Sequence, residues 1–373
     1  MKGKYKMKKI LIVILSLFLV NPCYAAHNFS VLTSRTVIEN TSTYDGFGDL
    51  EKIGSDTILH AFRSGEGHGT GTASIVGKKY TISTGTWGTT YTILPVESGR
   101  HFADIEMGII GNRIFLFYKR ETSAGTTLSM EYIVSRDLTG TSWSSPTVLT
   151  PHAAFDSFLT HQGAFTETDT PGTYILLVYH LTGSTRSIRV FKTTNYGNTW
   201  ADTGTPVVSG STQWGEPSVC HIGDGKMVGI VRRNDGGYMG YFTSDDNGDT
   251  WSSVSDASFF PNSTSIKPGF IYYDKQYDDV FFTYLSRGGT TEDIIYYSVA
   301  IDPQAVYDDF NTAFASPLTL TSDNFNNSFN GYPSAIRIGN YKYLVVWSEE
   351  VGATDADMYY GIIRNGDEGM TFR

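Results

Sequence analysis

The sequence predicts an all-β fold, a six-bladed β-propeller of four-stranded antiparallel blades occupying residues 27–373 as one domain. Three observations support it: a turn motif recurring at closely similar intervals, a hairpin-like stretch repeated six times in step with it, and no convincing amphipathic helix in a chain of 39 glycines. A period of roughly 50 residues suits a blade of four short strands. A β-sandwich or a β-solenoid is the alternative for so strand-rich a chain, but neither requires two periods to stay locked together.

The turn motif is clearest in "SDDNGDTW", residues 244–251, and recurs in degraded form as "TTNYGNTW" (193–200), "SRDLTGTSW" (135–143) and "STGTW" (83–87). The closing tryptophans are Trp87, Trp143, Trp200 and Trp251. Three acidic residues in eight suggest a calcium loop, yet calcium takes six or more oxygen ligands and the EF-hand glutamate has no counterpart here. The better reading is a structural hairpin turn. Ser244 and Asp246 bond nearby backbone N–H groups, Gly248 takes a positive φ, and Trp251 folds back onto the blade.

The second repeat comprises "GFGDLEKIGSDTILHAFR", "HFADIEMGIIGNRIFLFYKR", "HQGAFTETDTPGTYILLVYH", "WGEPSVCHIGDGKMVGIVRR", "PGFIYYDKQYDDVFFTYLSR" and "NGYPSAIRIGNYKYLVVWSEE". Each joins two β-rich runs across a Gly, Asp or Asn turn. Aligning them on their turns brings Phe47, Glu216 and Tyr332 into register. Arg63 stands as far beyond Phe47 as Arg232 does beyond Glu216, and Arg287 closes the matching strand of the fifth repeat.

The segment 1–26 has another character. A basic start, "MKGKYKMKK", precedes the apolar "ILIVILSLFLV" and the small residues of "NPCYAA", the order of a cleavable secretory signal peptide. So short an apolar run cannot form a membrane-spanning helix of about 20 residues. Cleavage near Ala25 or Ala26 removes five lysines and no acid, so the net charge moves from −10 to −15. A secreted or periplasmic protein, monomeric and free of the membrane once processed, is the expectation. Such an acidic chain lacks the basic footprint of a nucleic-acid binder. Cys220 alone remains after cleavage, which rules out an intrachain disulfide. The sequence shows no C-x-x-C, H-E-x-x-H, G-x-S-x-G or phosphate-loop motif, so neither a metal nor a cofactor is expected.

The turn motif matches the Asp-box, S-x-D-x-G-x-T-W, and together with "GEPSVCHIGDGKMVGIVRR" and "GYPSAIRIGNYKYLVVWSEE" it makes the sequence resemble the exo-sialidases and their relatives. These stretches look like that family's fourth- and sixth-blade motifs, and "FTYLSRGG" sits where the family has a further arginine. The resemblance covers essentially the whole chain after the leader-like segment. It implies that Tyr332 is the nucleophile and Glu216 its general base, since a neutral phenol with a pKa near 10 needs an ionised carboxylate to take its proton. It also implies that Arg232 and Arg287 grip the carboxylate of a sialic acid or related 2-keto acid sugar, with Glu349 or Glu350 orienting one of the arginines.

Two departures from the family stand out. Phe47 occupies the register of the family's first arginine, leaving Arg63 to complete the triad from the other strand of its blade. The general-acid Asp is missing after the first blade, where "RSGEGHGTGT" offers Glu66 and His68. Asp49 and Asp104 read as turn or rim residues. His161 and His180 flank a hairpin in the third blade and suit a different reaction, because propeller-type polysaccharide lyases use His, Tyr and Arg to act on a uronate. A noncatalytic carbohydrate-binding propeller is the third reading. All three take an acidic glycan.

Overall fold

The computed structural model describes residues 29–365, apart from residues 40, 69, 152–156, 160, 183–184, 211–212, 236, 260–265, 288–292, 324–330, 341 and 353–354. The leader assigned to residues 1–26 lies outside the described residues. What is described is all-β, in antiparallel groups of four strands laid out in chain order, the arrangement of a β-propeller.

The first group runs Tyr44–Gly54, Thr57–Gly67 and Thr70–Thr81, and ends in two short outer strands, Thr86–Trp87 and Tyr91–Leu94. The second runs Arg100–Ile110, Arg113–Thr122, Thr127–Val134 and Thr147–Pro151. In the third, the short strands Ser157–Leu159 and Phe165–Glu167 share the first position, followed by Tyr174–Thr182, Thr185–Thr193 and Ala201–Gly210. The fourth is Trp214–Gly223, Lys226–Arg233, Gly240–Ser244 and Ser255–Asp256; the fifth is Ile266–Asp274, Asp279–Arg287, Asp293–Ala300 and Leu318–Asp323. The last takes Gly331–Gly339, Lys342–Gly352 and Asp355–Asn365, and its outer strand, Phe29–Glu39, comes from the other end of the chain. First strands touch those of the next group, and the first strand of the last group touches that of the first. Each repeated hairpin of the sequence is therefore the inner pair of one group.

Each Asp-box turn joins a third strand to the outer part of its group. In residues 244–251 the Ser244 hydroxyl accepts from Gly248 N at 2.9 Å, and Asp246 accepts from Thr250 N at 2.8 Å. Asn247 and Gly248 both take positive φ, 58° and 79°. Trp251 meets Phe242 edge-on at 5.3 Å and packs on the apolar layer between sheets. The turn at 193–200 repeats this with Thr193, Asn195 and Trp200. The Ser, Thr, Asn and Asp side chains that define the turn bond its own backbone, so the motif shapes the fold. In the fifth group two short helices, Pro303–Asp308 and Phe310–Ala313, stand where the turn would be. Asp302 caps the first by accepting from Ala305 N, and Pro303 starts it.

The outer strand from residues 29–39 is clasped electrostatically. Arg35 donates from Nε to Glu349 Oε2 at 3.0 Å and its Nη2 lies 2.9 Å from the same oxygen, while its guanidinium covers the Tyr359 ring at 4.7 Å. Trp347 Nε1 donates to Glu349 Oε1 at 2.7 Å. A buried carboxylate with charged and neutral donors is costly to leave unpaired. Glu349→Gln should therefore lower the unfolding free energy by about 1–3 kcal/mol in a denaturant titration, with little effect on any activity of the ring centre.

Candidate active site

Every first strand that carries the site breaks its register beside one left-handed residue. Pairing slips between Gly46 and Asp49, Ala103 and Glu106, Gly215 and Pro217, and Gly331 and Ser334. The residue in the bulge is left-handed each time: Phe47 at φ 54°, Asp104 at 53°, Glu216 at 53° and Tyr332 at 59°. Such a conformation is uncommon for residues other than Gly, Asn and Asp, and its recurrence marks it as selected for position. In the third group the equivalent residue is Gly163, also at positive φ, where a Cβ would strike the Ser218 hydroxyl. The bulge turns one side chain per strand out of the ladder toward its neighbours in the ring.

Three of the residues named from the sequence meet there. Tyr332 Oη donates to Glu216 Oε1 at 3.2 Å, and Arg232 Nη1 donates to Glu216 Oε2 at 2.6 Å. Burial alone would depress the Arg232 pKa; the charge of Glu216 and the contact with the Tyr332 phenol raise it instead. All three are partly exposed. Phe47 crosses the Tyr332 ring at 4.7 Å on one side, and His161 lies at 5.5 Å. His161 is buried, with Nδ1 3.1 Å from the Gln162 carbonyl and no hydrogen bond to Nε2 among the described residues. Burial lowers its pKa, partly offset by the carboxylates of Glu216 and Asp104. An Nδ1–H that donates to a carbonyl leaves Nε2 as a free acceptor.

The register also exposes residues missed in the sequence. The residue opposite the one preceding the bulge is Arg63 in the first group, Lys119 in the second and Arg232 in the fourth. Lys119 sits 2.9 Å from Asp104 and 3.1 Å from Glu121. Burial acts against its charge, but those two carboxylates outweigh it and hold the pKa above the ordinary value. Asp104 is thus a bulge residue and not the turn or rim residue expected. The alignment of "HFADIE" with "WGEPSV" carried that signal, without the Gly or Pro that follows Phe47, Glu216 and Tyr332.

The structure gives the other residues named from the sequence the following surroundings. Arg63 shares the register of Arg232 but is wholly buried, stacked on Tyr44 at 5.2 Å, donating to the Gly67 carbonyl and facing His101. Burial pulls its pKa down to about 10. Glu66 is exposed and accepts from Thr72 N and Oγ1, so it braces its own turn. His68 bonds the Tyr44 hydroxyl at 2.7 Å and meets Phe47 at 5.1 Å, with Phe47 in turn lying against Tyr332. Glu349 is turned to Arg35 in the outer strand, and neither Arg232 nor Arg287 supplies its partner in that ion pair. His180 is fixed by the Ser187 hydroxyl at 2.9 Å across its hairpin. In the fifth group Ser286, opposite Ile266, holds the register of Arg232, so Arg287 corresponds to Arg233; its side chain lies outside the described residues. Cys220 is buried and has no disulfide partner among the described residues, its thiol pKa raised by burial.

Residues 56–270 match the BNR repeat-like domain. The chain belongs to that family. The matched span covers Glu216 and Arg232 and stops short of Tyr332. None of the curated proteins matches this BNR repeat-like chain in sequence. Its fold is shared with a protein of unknown function from Dyadobacter fermentans (TM-score 0.75, 17% identity, 90% of this chain and 99% of that one). Phage phi92 endosialidase superposes with a TM-score of 0.70 at 14% identity, over 92% of this chain and 70% of the endosialidase. The Hadza microbial sialidase Hz136 gives 0.62 at 14% identity, over 84% and 65%. Identities this low show a common fold and nothing finer.

Within this BNR repeat-like domain, the buried imidazole beside the phenol has a measurable signature. His161 should titrate below an ordinary imidazole, whose pKa is near 6.5, in an NMR pH series. Glu216→Gln should push the midpoint lower still, because it removes the carboxylate that favours the charged ring.

Proposed function

We propose that this protein is a six-bladed, sialidase-like glycoside hydrolase that releases a terminal sialic acid or related 2-keto acid sugar from acidic glycans with retention of configuration. The observation that carries the proposal is the Tyr332–Glu216–Arg232 cluster, with phenol to carboxylate at 3.2 Å and guanidinium to carboxylate at 2.6 Å. Glu216 takes the phenolic proton as Tyr332 attacks the anomeric carbon. A neutral nucleophile suits a carbon that already bears a carboxylate, because an anionic one would be repelled. Arg232 lies beside this pair to hold the substrate carboxylate, with Lys119 as a second cation in the same register. Asp104 shares the bulge position, and its ion pair with Lys119 has to open before its carboxyl can serve the leaving group. The six repeated hairpins support the blade count, and the leader-like segment 1–26 supports secretion.

A second reading is favoured by His161. Its unmatched Nε2, the adjacent Tyr332 and Arg232 are the parts a polysaccharide lyase needs to neutralise a uronate carboxylate and remove the neighbouring proton. Products separate the two: hydrolysis releases a free sugar acid, elimination an unsaturated sugar that absorbs in the ultraviolet. On a sialoside, Tyr332→Phe should abolish turnover without unfolding the chain, and Glu216→Gln should lower kcat by at least about 10²-fold. Near-normal turnover by Tyr332→Phe would reject the nucleophile. An ultraviolet-absorbing product from a uronate polymer, lost in His161→Ala, would establish the lyase instead.

A further inference from the structure

A few positions beyond the bulges, with Asp49 and Glu106 two residues on and Glu51 four, the first strands line a second site, a half-open cavity of about 500 Å³. Its lining excludes Tyr332, Glu216 and Arg232 and includes Asp49, Glu51 and Glu106. The other charges of the lining are matched. Asp274 receives Arg337 at 3.0 Å and the Tyr343 hydroxyl at 3.1 Å, and Glu167 is ion-paired with Lys275. His221 faces Asp169 at 3.2 Å. Asp49 spends its oxygens on Met107 N and the Ser334 hydroxyl. What remains is a half-buried Glu51, with no cation paired to it among the described residues, and Glu106. Glu106 is 1% exposed; Oε1 accepts from Phe165 N at 2.8 Å, and Oε2 has no hydrogen-bond partner among the described residues. An acceptor so deeply buried is costly to leave unmet.

We propose that this cavity is a binding site for a small organic cation, an alkylammonium or guanidinium group whose N–H donors reach Glu106 Oε2 and Glu51 and whose body lies against Phe165, Tyr174 and Tyr272. A volume of this size accepts a small molecule, and aromatic walls favour a cation over a neutral guest. A bare metal ion is not the guest that fits, since no group of three or more His, Cys, Asp or Glu among the described residues could hold one.

The site is coupled to protons. Burial, reinforced by Asp49, raises Glu51 to about 8 and lifts Glu106 well above the ordinary carboxyl range. The nearby Tyr272 hydroxyl is raised too, by burial and by Asp274 and Glu51, and stays neutral. A cation favours the ionised carboxylates, so binding releases protons and tightens as pH rises through the raised values.

The test is isothermal titration calorimetry of the full chain with 1,5-diaminopentane, charged throughout, and with 1,5-pentanediol as the uncharged control. The diamine should bind one to one, about tenfold more tightly at pH 8.5 than at pH 6.5, with heats that depend on the buffer's ionisation enthalpy; the diol should give no heat. Glu106→Gln keeps an acceptor for Phe165 N and should weaken binding at least about tenfold. Should that variant fail to fold, Glu51→Gln, at a half-buried position, carries the same expectation. Tyr332→Phe should leave diamine binding unchanged, which separates this site from the phenol cluster. No diamine heat at millimolar concentration at either pH, equal binding of diol and diamine, or binding lost in Tyr332→Phe and kept in the glutamate variants would overturn the proposal.

Discussion

The constraint on which the site depends is the left-handed bulge of the first strands. A regular strand sends alternate side chains to opposite faces of its sheet, and in a stack of sheets both faces are buried against neighbours. A polar side chain reaches the ring centre only if the ladder is broken there. The bulge does this at Phe47, Asp104, Glu216 and Tyr332, at a conformational cost of order 1–3 kcal/mol for each residue held in it. Sheet packing and pairing beyond the break sustain that cost, which is why the strain stands beside the candidate chemistry.

Two positions past the bulge, a second repeated device holds the sheets together. Asp49 accepts from Met107 N in the next sheet, Glu106 from Phe165 N, Ser218 from Ile271 N, and Ser334 returns to Asp49. Each bond satisfies a backbone donor or hydroxyl that the broken ladder leaves near the ring centre. The strained position and the pinning position are therefore parts of one design. Where the pin is a carboxylate, burial raises its pKa, and the second cavity inherits its acidity from this structural duty.

Much of this was legible in the sequence, for a physical reason. Phe47, Glu216 and Tyr332 fall into register because each precedes a Gly or Pro that tolerates the break, so local chemistry repeats where local geometry repeats. Asp104 is followed by Ile105 and gave no such cue. Arg287 was one position astray, and a slip of one in a strand exchanges the two faces, so its counterpart is Arg233. Arg63 was aligned correctly, yet alignment says nothing of a lid, and Tyr44 and the turn carrying Gly67 bury it. The partnership of Phe29–Glu39 with Asp355–Asn365, and of Arg35 with Glu349, joins segments from opposite ends of the described chain; neither carries a mark that names the other.

That partnership has a consequence for how the protein comes into being. The strand Phe29–Glu39, synthesised before all the others described, must wait, its hydrogen-bonding edge bare, until the last hairpin leaves the ribosome. Closing so long a loop costs little extra entropy per added residue, but the encounter is slow because almost everything between must be in place first. During the wait, an identical late hairpin from a second molecule can offer the same edge. Crowded production should thus yield exchanged dimers, each ring latched by its neighbour's first strand.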